Sequence, residues 1–482
     1  MKKQIITMAL MAMTMMPAMA QNKSGLPTQN WDKSVRAQDD FYQYACGGWM
    51  KNNPLPAAYS RFGSFDRLSL DNNKRINSIL TELQKGKYAK GTLEQKISDL
   101  YKLAMDSVRR NAEGVKPVLP YLADMEACCD KSSLQALQLK YAPFGFGLPF
   151  GAGFGADEKD SKNNIMNVYQ GGLTLGQKEY YIDNDDATTK IREEYKKYVV
   201  RMFRLFGFSW GEATAKMEAI MRIETQYAIA SKSKTELRDV EKNYNKMSLS
   251  DFEKNYPNLR FTQIENAEGV KTEYIQNLVV GQPEFLAAAD KVVAMMTADE
   301  LRAVMEWDVI NGSTSLLSDE VASVAFDFYG KIISGRKQDY ERWKKATSMV
   351  ESVLGQALGK MYCERYFPES SKTRMKTLVA NLQTSLGERI MAQEWMSEDT
   401  KKAALDKLST FYVKIGYPDK WKDMSGLQID PAKSLYENII AARLFRHQQR
   451  IEETAGKPVD RDEWHMTPQT VNAYYNPTTN EI

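Results

Sequence analysis

From about residue 66 onward, apolar residues return every three or four positions, which places them on one stripe of an α-helix and leaves little room for other regular structure. Thr92-Leu93-Glu94-Gln95 has the pattern of a capping box, and Leu93, Ile97, Leu100, Ala104 and Val108 follow at helical spacing. Ile191, Tyr195, Tyr198, Val199, Met202 and Phe206 form a second stripe, with Gly207 placed to end it. Further helical patterns fill 210–231, 283–309, 341–363 and 373–394. Such a succession with short connections predicts a large helical assembly. With 482 residues, 43% of them hydrophobic, the chain can bury a real core and has room for about three domains, or two larger ones.

Two regions break the helical pattern. Phe144-Gly145-Phe146-Gly147-Leu148-Pro149-Phe150-Gly151-Ala152-Gly153-Phe154-Gly155 alternates as a strand with tight turns, and residues 164–169 supply a return strand, so a small hairpin is expected. From Phe411 on, Pro418, Pro431, Pro458 and Pro468 interrupt the chain, short β-branched runs are expected in place of long helices, and a second domain begins. Only about seventy residues follow, fewer than the roughly 100 to 150 of a common domain, so that domain is expected to be cut off.

The first twenty residues read as an export signal: Lys2 and Lys3, an apolar run over 5–16, and small residues Ala18 and Ala20 before a cut. No stretch approaches the roughly 20 apolar residues of a spanning helix, and no cysteine stands after the cut, so the expected product is exported, periplasmic or extracellular, soluble, and not a lipoprotein. Lys and Arg number 65 against 62 Asp and Glu, a formal charge of +3 that becomes +1 without Lys2 and Lys3. So even a balance, with no basic run, argues against a nucleic-acid partner. Cys46, Cys128, Cys129 and Cys363 are too few for a disulfide scaffold; the adjacent pair is expected to be buried thiols.

Several motifs carry possible chemistry. Gly207-Phe208-Ser209-Trp210-Gly211 matches a serine nucleophile elbow, but a helical stripe precedes Ser209 where a strand is needed, and Ser209 with Glu212 reads better as a capping box. Asp183, Asp185 and Glu194 match a calcium loop only in part, because Ala187 and Thr188 occupy a ligand and the turn-glycine position. His447 and His465 are the only histidines, so no His-Glu-x-x-His helix exists in these residues; both read as structural. Ser60-Arg61-Phe62-Gly63-Ser64-Phe65-Asp66 sets an Arg in a glycine-containing loop ahead of an Asp. The pair is either a local ion pair with Asp66 as helix N-cap or a fork that grips a carboxylate. Val471-Asn472-Ala473-Tyr474-Tyr475-Asn476-Pro477 reads as an edge strand whose Asn can offer a donor and an acceptor to an extended peptide, or as a strand that simply ends.

Taken together, Asp39-Asp40-Phe41-Tyr42 through Cys46-Gly47-Gly48-Trp49, Gly171-Gly172-Leu173 to Glu179-Tyr180-Tyr181, Glu236-Leu237-Arg238-Asp239, Leu354-Gly355 to Tyr366-Phe367-Pro368, and Trp464 to Pro477 resemble the neprilysin family of zinc metallopeptidases. The resemblance implies a mainly α fold: a large helical domain capping a thermolysin-like α+β catalytic domain that is incomplete in this chain. The expected division is signal peptide 1–20, an amino-terminal segment 21–65 that packs with the catalytic domain, a helical substrate-gating domain 66–410, and the start of the catalytic domain at 411–482. It implies that Arg61 and Asp66 receive the free carboxylate of a short peptide and that Asn472 and Ala473 clamp its backbone. Zinc is implied for the complete family enzyme, but its His-Glu-x-x-His, third ligand and intermediate-stabilising histidine have no counterpart here. Catalytic and metal residues are therefore expected to be none, and these residues alone inactive, missing a carboxy-terminal catalytic portion. The resemblance also implies that the thiol equivalent to Cys46 pairs, in animal relatives, with a cysteine far downstream that has no counterpart here. Two other readings stand beside this one: a secreted helical peptide-binding protein without catalysis, and a serine hydrolase using Ser209.

Overall fold

The computed structural model describes residues 27–482, so the export signal read over 1–20 lies outside the described residues. The chain separates into two compact units that divide between Phe62 and Gly63.

In the first unit, Asp40 caps the helix Phe41–Asn52, accepting a hydrogen bond from Gln43 N at 2.9 Å. The run Cys46-Gly47-Gly48-Trp49 lies on this helix. A Cβ on Gly48 would fall 2.8 Å from the carbonyl oxygen of Gln29, so the glycine lets residues 29–30 lie against the helix backbone. Trp49 then stacks on Phe62 at 6.1 Å, and Phe62 meets Tyr59 edge-on at 5.2 Å.

The second unit is built on the expected stripes. Thr92 caps Leu93–Met105, which buries Ile97, Leu100 and Ala104. That stripe stops a turn earlier than its spacing predicts. Asp106 leaves helical geometry to cap Ser107–Glu113, and Val108 is left 82% exposed. Asp186–Leu205 buries Tyr195, Tyr198, Val199 and Met202, and Gly207 closes it with φ of 98°. The pattern over 283–309 resolves into two helices, Pro283–Met295 and Ala298–Ser313, because Thr297 and Glu300 form a capping box between them.

The glycine-rich hairpin starts later than the alternation suggests. Ala142–Phe144 is a 3-10 turn, Gly145 and Gly147 take positive φ, and β1 runs Phe150–Asp157 against antiparallel β2, Asp160–Gln170. Two strands of four residues each, β3 (Asn245–Ser248) and β4 (Asn277–Val280), complete a sheet of order β1-β2-β4-β3, with β2 and β4 parallel. They are too short to show a period.

Residues 411–482 lie within the same compact unit as the helices. The expectation that long helices cease there is corrected by Leu435–Thr454, twenty residues capped by Ser434 with Glu437. The irregular stretch before it is held by side chains from earlier helices. Lys96, 1% exposed, donates to the carbonyls of Met424 at 2.7 Å and Ser425 at 3.0 Å, while Arg109 donates to those of Pro431 and Ala432. Farther along, the helix Arg342–Tyr366 is broken at Leu354 (φ −116°, ψ 23°). A Cβ on Gly359 would lie 2.8 Å from Pro468 Cδ, and Gln469 Nε2 donates to Gly355 O at 3.1 Å, so the turn at 467–470 lies directly on that helix.

All four cysteines are unpaired. Cys363 is buried, which pushes its thiol up to about 11, but Cys129 is exposed and Cys128 half-buried, correcting the expectation of two buried thiols. No helix among the described residues is long and apolar enough to cross a membrane. Lys96→Met keeps the apolar stem and strips the donors from two carbonyls; urea titration should show a loss of about 1–3 kcal/mol in unfolding free energy.

Candidate functional site

The residues expected to grip a peptide fall in both units and are described within each. Arg61 is exposed near the end of the first unit. In the second, Asp66 is not the N-cap of its helix. Gly63 occupies that position for Ser64–Leu83, and the Asp66 carboxylate, in the third helical position, reaches back to accept from Gly63 N at 2.8 Å. The acid thus stiffens the entry of the helix and keeps a second carboxylate oxygen available.

Residues 471–475 lie outside any strand, contrary to the expected edge strand. The physical reason is local. Asn472 turns its side-chain oxygen onto its own chain, accepting from Ala473 N at 2.8 Å, and Asn472 N donates to Thr470 O. Asn472 and Ala473 are both exposed, and Asn472 Nδ2 has no acceptor among the described residues. Behind them the chain is anchored firmly. Glu481, 1% exposed, receives Lys414 Nζ at 2.6 Å and Tyr474 OH at 2.6 Å, and Lys414 also donates to Glu463 O. Asn476 and Glu481 exchange two backbone hydrogen bonds. Burial opposes charge on Glu481, but Lys414 and Tyr474 hold its carboxyl below the usual range.

The approach to this segment, residues 464–467, lines a cavity of about 610 Å³ together with His447, Arg450 and Glu463. Arg450 pairs with Glu463 at 2.7 Å and Lys422 with Glu453 at 2.9 Å. The two histidines do not meet. His447 Nε2 lies 3.0 Å from Glu268 Oε2, and His465 Nε2 lies 3.7 Å from Glu481 Oε1. Among the described residues no group of three His, Cys, Asp or Glu side chains could hold a metal. A zinc ion of the family's kind needs His-rich tetrahedral ligation, and the residues present do not fit it.

Ser209 is a helix cap. Its Oγ accepts from Glu212 N at 3.2 Å and its N donates to the Glu212 carboxylate at 2.7 Å, as the capping-box reading expects. Asp185 likewise caps the helix that follows it, accepting from Ala187 N and Thr188 N.

Sequence reasoning passed over three acids set among apolar helical residues. Glu224 sits on the apolar face of Trp210–Ala230 and accepts from Thr174 Oγ1 at 2.5 Å, Tyr181 OH at 2.7 Å and Tyr195 OH at 3.0 Å. Burial outweighs these donors and pushes it up to about 7. Asp308 accepts from Gly147 N at 2.7 Å and is also raised to about 7 by burial. Glu265, buried beside Glu268, rises to about 8. Their only sequence signal is an acid at an apolar helical position. The native state holds protons on these acids that the unfolded chain releases near pH 4 to 4.5, so their contribution to stability is complete at low pH and lost as pH rises through about 7 to 8. Thermal melts should show a falling midpoint between pH 5 and 8 on this account, and Glu224→Gln should flatten part of that slope.

A family model described as peptidase family M13 matches residues 37–418. Endothelin-converting enzyme 1 of Bos taurus is 29% identical over 468 residues, 94% of this chain and 61% of that protein. Neprilysin-3 of Drosophila melanogaster is 28% identical over 477 residues, 94% of this chain and 60% of that protein. Among solved structures, the Mycobacterium tuberculosis zinc metalloprotease Zmp1 in complex with inhibitor superposes with a TM-score of 0.89 at 31% identity, covering 95% of this chain and 69% of that one. The chain thus spans about 60% of the length of the curated relatives it matches.

Proposed function

The chain belongs to peptidase family M13, and from that premise we propose that these residues are the substrate-capturing part of an exported zinc endopeptidase that hydrolyses short peptides. The observation that carries the reading is the match over residues 37–418, in accord with the overall likeness to a zinc metalloprotease. Export is supported by the leader pattern of residues 1–20. In this reading Arg61 takes the free carboxylate of the peptide through its planar fork, with Asp66 steadying the loop, and the exposed Asn472–Ala473 backbone and amide hold the peptide in an extended form. Residues 66–410 gate access as a helical domain and 21–65 and 411–482 belong with the catalytic portion.

Hydrolysis is assigned to the complete family enzyme, in which bound zinc would supply Lewis-acid chemistry. With two histidines placed apart and no group of three ligating side chains among the described residues, these residues are proposed to bind peptide without cleaving it. The same count favours, as a second reading, a secreted peptide-binding protein that works by capture alone.

Isothermal titration of the chain with a short peptide tests the grip. Arg61→Ala should weaken capture about ten- to a hundredfold, and amidating the peptide's carboxylate should weaken the wild type equally while leaving the variant unaffected. Peptide affinity indifferent to both changes would defeat the assignment. Asn472→Ala should weaken capture of carboxylate and amide peptides alike. Equilibrium dialysis against zinc should give well under one ion per chain; stoichiometric zinc with peptide cleavage would overturn the capture-only claim.

A further inference from the structure

The run Phe144-Gly145-Phe146-Gly147-Leu148 has no part in peptide capture as argued above, yet it walls a cavity of about 480 Å³ within the helical unit. Glu224 and Asp308 line the same cavity. Glu224 is buried and Asp308 half-buried. Its Oδ2 is taken by Gly147 N at 2.7 Å, and its Oδ1 has no donor among the described residues. Glu224 is served by three hydroxyls and by no cation. The other charge it feels is that of Asp308, which opposes its own.

Two carboxylates of like sign thus share one enclosure with no lysine, arginine or histidine paired to either among the described residues. Desolvated charge left unpaired is costly, by several kcal/mol per ion, and the deficit is met either by protons or by a cation from outside. The donor set is too small for a metal ion, which wants a third or further ligand from the protein. The walls point elsewhere. Phe144, Tyr227 and Tyr436 present aromatic surface, which favours an organic cation over a hydrated ion. Arg443, exposed on the helix Leu435–Thr454, lines both this cavity and the 610 Å³ cavity beside residues 464–467, so the two adjoin.

We propose that the cavity is a binding site for an organic cation, an ammonium or guanidinium group, held by Asp308 with Glu224 behind it. The peptide-capture reading enters only as the source of the cation, a basic side chain of the captured peptide; a free alkylamine is the other source of the same chemistry. Asp308 makes the direct contact, because it alone has an uncommitted oxygen.

The test titrates the 482-residue chain with three probes: an N-acetylated short peptide with a free C-terminal carboxylate and one Lys, the same peptide with norleucine in place of the Lys, and free n-butylammonium. The Lys peptide is expected to bind about tenfold tighter than its norleucine twin, and Asp308→Asn, which can keep the Gly147 hydrogen bond, should abolish the difference. Glu224→Gln should reduce it, with circular dichroism confirming that both variants fold. Arg61→Ala should weaken both peptides by the same factor. A Lys preference that survives Arg61→Ala but not Asp308→Asn upholds the cation site even if the carboxylate grip fails. Asp308-dependent binding of butylammonium alone also upholds the site and makes its source a free amine. Equal binding of the Lys and norleucine peptides with no Asp308-dependent binding of butylammonium overturns it, as does a preference indifferent to Asp308→Asn.

Discussion

Buried irregular backbone leaves carbonyl oxygens that no helix or sheet ladder can satisfy, and the second unit meets this constraint with cationic side chains reaching out of its helices. Lys96 serves Met424 and Ser425, Lys178 serves Ser231, and Arg110 serves Ser315 and Leu317, while Lys131 serves Val293 and Ala294 in the open last turn of the helix Pro283–Met295. Lys372 does the same for Tyr417 while its charge meets Asp419. The pattern gives a meaning to the near-neutral composition: several of the positive charges are committed to holding the chain's own loops, and what stays outside forms no continuous basic surface in the sequence. It also fixes where residues 411–482 lie, since their irregular start is clasped by the Leu93–Met105 helix and the helix after it.

The sequence made legible those features whose signals are local and periodic. Thr92, Ser209 and Gly207 announce the ends of their helices by chemistry that acts within four residues, and the stripes they bound are the buried ones. Misreadings arose where the deciding contact lies far along the chain or falls within a turn. Val108 fits a helical stripe until Asp106 is seen to end one helix and begin another. The alternation from Phe144 imitates a strand, whereas Gly145 and Gly147 use their freedom to turn. β4 pairs in parallel with β2, more than a hundred residues earlier, and four residues cannot advertise such a partner. Leu435–Thr454 was obscured by the prolines around it, although its own spacing, with Ile440, Leu444 and Ile451, is helical.

For the site, the residue types were legible and their conformations were not. Arg61, Asp66 and Asn472 stand out for what their side chains can donate and accept, and Ala473 enters only through the family resemblance. The structure adds that Asp66 is engaged with Gly63 and that Asn472 folds back upon its neighbour. The Lys414–Glu481–Tyr474 cluster behind Asn472 had no sequence signature, because an ion pair separated by 67 positions is invisible to spacing. The scarcity of histidine, in contrast, needs no coordinates: His447 and His465 are the two in the sequence, and their spacing alone excludes a His-Glu-x-x-His helix among these residues.

The seating of the 467–470 turn on the Arg342–Tyr366 helix has an evolutionary corollary. With no room between Gly359 and Pro468 for even a methyl group, neither position can drift alone. A bulkier residue in the helix demands a smaller or displaced partner in the turn, and that displacement would be transmitted within a few residues to Asn472. Across relatives, these two sites should therefore change in concert or not at all, making a plain steric fit the reason that a helix interior and a surface loop share one history.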